Sequence, residues 1–200
     1  VIERGQQLGG TMTTGGVAYP GLFHAWGCQI IAGIGWELVQ RTVDLGGGEL
    51  PDFSQPYGAQ HWRHQVPLHG PLYAAIAEEA CLGAGVRLCY GELPVLTTQT
   101  SKGWIVETVG KNLQRRIACA QLIDATGDAD VVGMLGYPRR RAEDCQPGTL
   151  IFRLGGYDVE TLDADLIEAR YRTALDAGAL LPGDVANPAA PFIAFLRSGG

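Results

Sequence analysis

Two hundred residues, 46% hydrophobic and 18% charged, make a globular composition, with chain enough for one good core or parts of two domains. A formal charge of -6 and the lack of any long basic run exclude nucleic acid and an anionic membrane surface as the main partner, since both are held through clustered Lys and Arg. No stretch approaches the ~20 apolar residues of a membrane span and the start lacks a signal-peptide layout, so a soluble, cytoplasmic protein with a small-molecule substrate is expected.

The chain opens on "VIER", which reads as the end of a buried strand, and closes on the apolar run "FIAFLRSGG". Both ends suggest an internal fragment. Behind the stub, "GQQLGGTMTTGG" at 5–16 packs five glycines and three threonines into twelve residues. Such a run is either a flexible linker or a surface shaped to lie against a ligand. Ile34, Leu38, Val39 and Val43 then recur at helical spacing, and the glycines from Gly46 form a stop. Between about 47 and 70 no period is visible, which predicts a long functional loop or lid. Pro71 is well placed to start a second helix, with Leu72, Ala75, Ile76 and Ala80 marking it and 83–85 ending it. "VRLCY" follows as a short strand.

Next come "LPVLTTQT", "GWIVETV" and "LQRRIACA", divided by the turn compositions "SKG" and "GKN". They predict a three-stranded antiparallel meander. "QLIDATGDADVVGML" reads as an apolar strand breaking at Thr126-Gly127 into a helix. This order predicts an α/β fold, a parallel sheet with an inserted antiparallel β-meander. Beyond 147 a second unit begins, with a strand at "TLIFRLGG" and a helix at "DADLIEARYRTALDAG" that presents Ile167, Tyr171 and Ala174 on one face.

Cys28, Cys81, Cys89, Cys119 and Cys145 include no CxxC pair, so neither a zinc ribbon nor a dithiol redox motif is written here. They are expected to be reduced, mostly as buried apolar residues. His61, His64 and His69 lack a Cys or carboxylate at ligand spacing, so no metal is expected. The "RRR" at 139–141 reads as a solvated loop, and His24 either faces a ligand or is structural.

The opening stretch carries the functional argument. In nucleotide-binding α/β sheets, ligands lie beyond the carboxyl ends of the strands, and an acid ending the second strand binds the ribose hydroxyls. Glu3 ends an apolar stub ahead of a glycine loop; a solvated strand end is the alternative. Glycine there permits close backbone approach, and exposed N–H groups with the hydroxyls of Thr11, Thr13 and Thr14 can donate to phosphate or flavin. "ATGD" supplies a second close-approach turn, with Asp128 as acceptor or, with Asp130, as a helix cap.

"VIERGQQLGGTMTTGGV", "IIAGIGWELVQR", "LIDATGDADVV" and "PGTLIFRLGG", in this order, resemble the FAD-dependent oxidoreductase family of the glutathione-reductase-like flavoprotein superfamily, related to fumarate-reductase-type flavoproteins. The resemblance is clearest over 1–45, 71–137 and 147–156. It implies a Rossmann-like, nucleotide-binding domain at 1–147, lacking its first strand and GxGxxG loop, and the start of a truncated substrate or cap domain at 148–200. It also implies FAD as cofactor and hydride transfer between a small organic substrate and flavin, with the chain inactive by itself. By the same resemblance Glu3 binds the adenosine ribose and Arg4 lies near the adenosine half. Gly9, Gly10, Thr11, Thr14, Gly15 and Gly16 line the pyrophosphate-to-isoalloxazine part, and Thr126, Gly127 and Asp128 form a second FAD-contacting turn. Family members meet adenine through a backbone N–H after "CYG", where this chain has Leu93-Pro94-Val95 and Pro94 has none. No catalytic base and no oligomeric state is assigned. An NAD-only dehydrogenase and a non-catalytic FAD-binding homologue are the alternatives.

Overall fold

Glycines bracket the first helix. α1 spans Ile34–Gly46, three residues past the last expected apolar position, and ends where Gly47 turns left-handed at φ 67° and its N–H reaches the Val43 carbonyl. Its inward face is Trp36, Val39, Thr42 and Val43. Ile34, expected on that face, is 75% exposed, because it is the first helical residue and lies beyond the edge of the core. In the computed structural model, residues 1–58, 60–145, 148, 151, 155–182 and 184 are described. The chain divides into two compact units, Val1–Ile151 and Phe152–Gly200.

In the first unit, β1 (Ile2–Glu3) pairs in parallel with β4 (Cys89–Tyr90). β2 (His24–Ala25) and β3 (Cys28–Gln29) form a small hairpin. Trp26 and Gly27 at its tip have φ of 52° and 75°, the backbone that twists with the strands. α2 (Gly70–Gly83) starts at His69, whose Nδ1 accepts the Leu72 N–H at 3.2 Å, so this histidine serves as a helix cap. The buried face of α2 is Tyr73, Ala74, Ile76 and Ala77; Ala75, expected inside, is exposed.

β5 (Glu92–Thr100), β6 (Gly103–Gly110) and β7 (Leu113–Cys119) form the antiparallel meander, with a bulge between Pro94 and Leu96. Asn112 enters the left-handed region at the β6–β7 turn, as its side chain tolerates. The expected strand at 121–125 is irregular backbone, and Ile123 is 86% exposed. Among the described residues no strand offers this run a ladder, and an apolar run without hydrogen-bond partners does not hold as a strand. "VRLCY" is likewise a strand only at Cys89–Tyr90. α3 (Asp130–Met134) follows.

The core joins Ala18, Phe23, Trp36, Val39, Val43, Val66, Leu68 and Tyr73. The stretch expected to be a functional loop or lid contributes to it. Val66 is fully buried, and Val66 N and Leu68 N donate to the carbonyls of Pro20 and Ala18, both at 2.9 Å. Apolar residues at alternate positions let this irregular segment pack as a strand would. The cysteines correct another expectation: Cys28 and Cys145 are exposed, and the other three are half-buried.

In the second unit, α4 (Ala164–Asp176) is capped by Asp163, whose Oδ1 accepts from Leu166 N at 2.9 Å. Tyr171 is its buried residue. The strand expected at 149–156 rests largely on residues outside the described set. No helix among the described residues is long and apolar enough to cross a membrane.

Candidate functional site

Glu3 stands at the carboxyl end of β1, in register with Tyr90. Its Oε1 accepts the Gly5 N–H at 2.5 Å, turning the chain immediately after the strand. Oε2 has no partner among the described residues. Gly91 N donates to the Gly5 carbonyl at 3.1 Å, so the two chains leave the sheet tied together. The Tyr90 hydroxyl donates to Glu78 Oε2 at 2.7 Å, joining β4 to α2. Burial first, then that bond and the charges of Glu78, Cys81 and Glu3, push its pKa up to about 12. Arg4 is exposed.

The glycine stretch is a built turn rather than a flexible leader. A tight helical turn spans Gly10–Met12, with Met12 N bonded to Gly9 O and Gly15 N to Gly10 O at 3.0 and 2.9 Å. Thr13, Gly16 and Val17 amides also bond within the stretch. Gly9, at φ 106°, could take no Cβ without meeting the Thr13 side chain, and a Cβ on Gly15 would lie 2.8 Å from the Thr11 carbonyl oxygen. Glycine is therefore a requirement of the turn itself at both positions. From below, the first residue of α2 supports it: a Cβ on Gly70 would stand 3.1 Å from the Met12 oxygen.

The same bonds divide the donors into two sets. Thr13 Oγ1 donates to the Leu8 carbonyl at 2.7 Å, so its only hydroxyl proton holds the turn and is withdrawn from the expected ligand donors. Thr14 Oγ1 accepts from Gln7 at 3.5 Å and keeps its proton. The amides of Gly9, Gly10 and Thr11 have no partner among the described residues, and nothing stands within 4 Å of where a Gly10 Cβ would be. What results is an open glycine surface with unpaired donors.

The second turn is organised by Asp124. Its Oδ1 accepts Thr126 N and Thr126 Oγ1 at 3.0 and 2.7 Å, and its Oδ2 accepts Val132 N at 2.9 Å. Desolvation alone would raise its pKa, but the hydrogen bonds from Thr126 and from the Val131 and Val132 amides outweigh it, and the net shift is downward. Thr126 Oγ1 in turn accepts Asp130 N at 2.8 Å, so this hydroxyl caps α3. Gly127 has φ 88° and open space at its Cβ position, and Asp128 is exposed beside it.

Beyond the turns, His24 stacks on Phe53 with ring centroids 3.8 Å apart and meets Trp36 edge-on at 5.1 Å. His64, 5% exposed, lies against Phe53 and Tyr57. Nδ1 of His24 and Nε2 of His64 are buried without a hydrogen bond among the described residues. This packing fits the structural reading of His24. Burial first, then the charge of His64, lowers its pKa below the usual 6.5. A lowered imidazole pKa means the unfolded chain binds more protons, so stability is complete above 6.5 and falls as the pH drops below it. The urea midpoint is expected to fall between pH 7.5 and 5, and His24→Phe to flatten that slope. An unchanged slope in the variant would place the titration elsewhere.

The structure gathers Glu3, Arg4, Gly9, Gly10, Thr11, Thr14, Gly15 and Gly16 onto one segment at the strand ends. Thr126, Gly127 and Asp128 form a separate turn, and among the described residues no hydrogen bond or ion pair joins the two groups. Sequence reasoning missed Asp124, Gly70, Tyr90 and Arg139. Only Asp124 had a visible signal, as the acid two residues before Thr126. A family model described as FAD dependent oxidoreductase matches residues 1–188. No curated protein and no solved structure matches the chain.

Proposed function

The chain belongs to the FAD dependent oxidoreductase family, and from this premise we propose that its first unit is a Rossmann-like FAD-binding domain serving hydride transfer between a small organic substrate and the flavin. FAD is the cofactor of the family and flavin redox chemistry its function. The observation that carries the finer reading is the strand-to-turn geometry. A parallel strand ends on Glu3 with one carboxylate oxygen unpartnered among the described residues, and the turn behind it leaves three consecutive amides unpaired among them.

These residues fit the cofactor. Glu3 Oε2 would accept from the ribose hydroxyls, with Arg4 at the adenosine half. The amides of Gly9, Gly10 and Thr11, with the Thr11 and Thr14 hydroxyls, would donate along the pyrophosphate-to-isoalloxazine part, beside Gly15 and Gly16. Thr126, Gly127 and Asp128 would form the second contact, where the missing Gly127 side chain admits close approach. When bound, FAD supplies the electronics of hydride transfer, and the protein supplies position and electrostatics. The reading takes residues 1–147 as the cofactor domain and 148–200 as the start of a substrate or cap domain.

The test is flavin titration of the full-length protein, followed by photoreduction and reoxidation with candidate acceptors. Stoichiometric flavin absorbance and turnover-dependent bleaching are expected. Binding without any redox cycling would leave a non-catalytic FAD-binding homologue, and failure to bind flavin would overturn the reading.

A further inference from the structure

We propose that Arg139 is a positioning residue, holding the 126–130 turn in the shape that meets the cofactor; the inference rests on the FAD reading of that turn. The short basic run at 139–141 looks like a solvated loop by composition, yet its first member is folded back onto the turn. Arg139 Nη1 lies 3.4 Å from the Asp128 carbonyl oxygen, 3.5 Å from that of Ala129 and 3.7 Å from Asp130 Oδ1. One nitrogen thus faces acceptors on three successive residues.

Two further features belong to the same arrangement. Gly133, on the first turn of α3, lies directly under the guanidinium, and a Cβ there would come 2.5 Å from Arg139 Cζ and 2.8 Å from Nε. The planar group therefore sits where only glycine leaves room. The backbone it covers is also strained at Ala129, a residue with a side chain, whose φ is 55°. Such a left-handed conformation persists only where its surroundings impose it.

The division of labour follows from donor and acceptor type. Asp124 binds N–H and O–H groups of the turn, and Arg139 faces its carbonyls. An anion taking the donors and a cation facing the acceptors fix the backbone on which Asp128 stands. Because Arg139 and Asp130 are both about half exposed, their ion pair contributes little by itself. The effect lies in shape, which a lysine point charge does not reproduce.

The experiment uses the full-length protein and two readouts. In the FAD-free protein, Arg139→Ala is expected to speed amide hydrogen exchange at Thr126, Asp130 and Val132 about tenfold, with the β6 amides unchanged. The FAD dissociation constant should rise about tenfold, as for loss of a charge-assisted contact. Gly133→Ala, which evicts the guanidinium, should reproduce both changes, Arg139→Lys should recover neither fully, and Arg140→Ala and Arg141→Ala should leave both unchanged. Unaltered exchange in Arg139→Ala overturns the proposal, as does an equal effect of Arg140→Ala. Faster exchange with unchanged FAD affinity overturns the role toward the cofactor. If the unmutated protein binds no flavin, it is the FAD reading that fails, and the exchange data show this separately.

Discussion

Replacing Glu3 by Ala is expected to raise the FAD dissociation constant of the full-length protein about ten- to a hundredfold while leaving it folded. A carboxylate accepting from ribose hydroxyls makes charge-assisted hydrogen bonds worth roughly 1.5–3 kcal/mol, and each 1.4 kcal/mol is about tenfold in affinity. The two oxygens of Glu3 have different duties: Oε1 takes the Gly5 amide, and Oε2 has no partner among the described residues. Glu3→Gln keeps an acceptor for Gly5 and removes the charge, so it should lose affinity with little loss of stability. Glu3→Asp shortens the reach toward both and should recover little. Flavin fluorescence titration reads the affinity, and circular dichroism checks the fold. An unchanged constant in all three variants would return Glu3 to a solvated strand end.

A second large effect is expected in the meander, where Glu92 is 2% exposed and Arg115 approaches its Oε1 at 3.3 Å. Thr108, fully buried, donates to the other oxygen at 2.9 Å. The pair is asymmetric because the Arg115 side chain is 43% exposed. Arg115→Ala would leave a carboxylate in the interior with one hydroxyl for company, and removing one partner of a buried pair costs about 3–5 kcal/mol. The lower end applies because water can reach from the arginine side. Glu92→Gln should cost less, about 1–2 kcal/mol, since the amide oxygen still accepts from Thr108 and Arg115 can turn to solvent. Urea unfolding of both variants measures the difference. Equal losses, or a larger loss for Glu92→Gln, would show that Arg115 does not neutralise the buried charge.

Much of this architecture was legible in the residue order, and the exceptions have physical causes. The meander was visible because its strands pair with sequence neighbours across Ser101-Lys102 and Lys111-Asn112, so local composition contains the whole interaction. Helices α1 and α2 were visible through glycine stops and Pro71. The 121–125 run misled because its apolar residues match a strand, whereas a strand also requires a partner that composition does not reveal. Ile34 misled for the related reason that helical spacing names a face and not how far the core extends along it. At the site, Glu3 and the glycines were readable because a tight turn dictates its own residue types. The hydroxyl of Thr13 went unread as a structural bond, and Arg139 as a clamp, because each depends on where a side chain lands after folding. Gly70 was hidden likewise: its lack of a side chain matters only because the Met12 carbonyl lies against it.

The backing of Val66 and Leu68 against Pro20 and Ala18 sets an order of events in folding. α1, α2 and the meander rest on contacts within or between adjacent segments and form early at small entropic cost. Val66 and Leu68 reach their places beside Pro20 and Ala18 only when the entire run from Gly21 to Gln65 has closed into a loop, an entropy loss that precedes its reward. Core closure is therefore expected to come late in folding. Contacts that complete after closure, such as those of Val66, are expected to belong to the folded state more than to the transition state, so that trimming them speeds unfolding more than it slows folding.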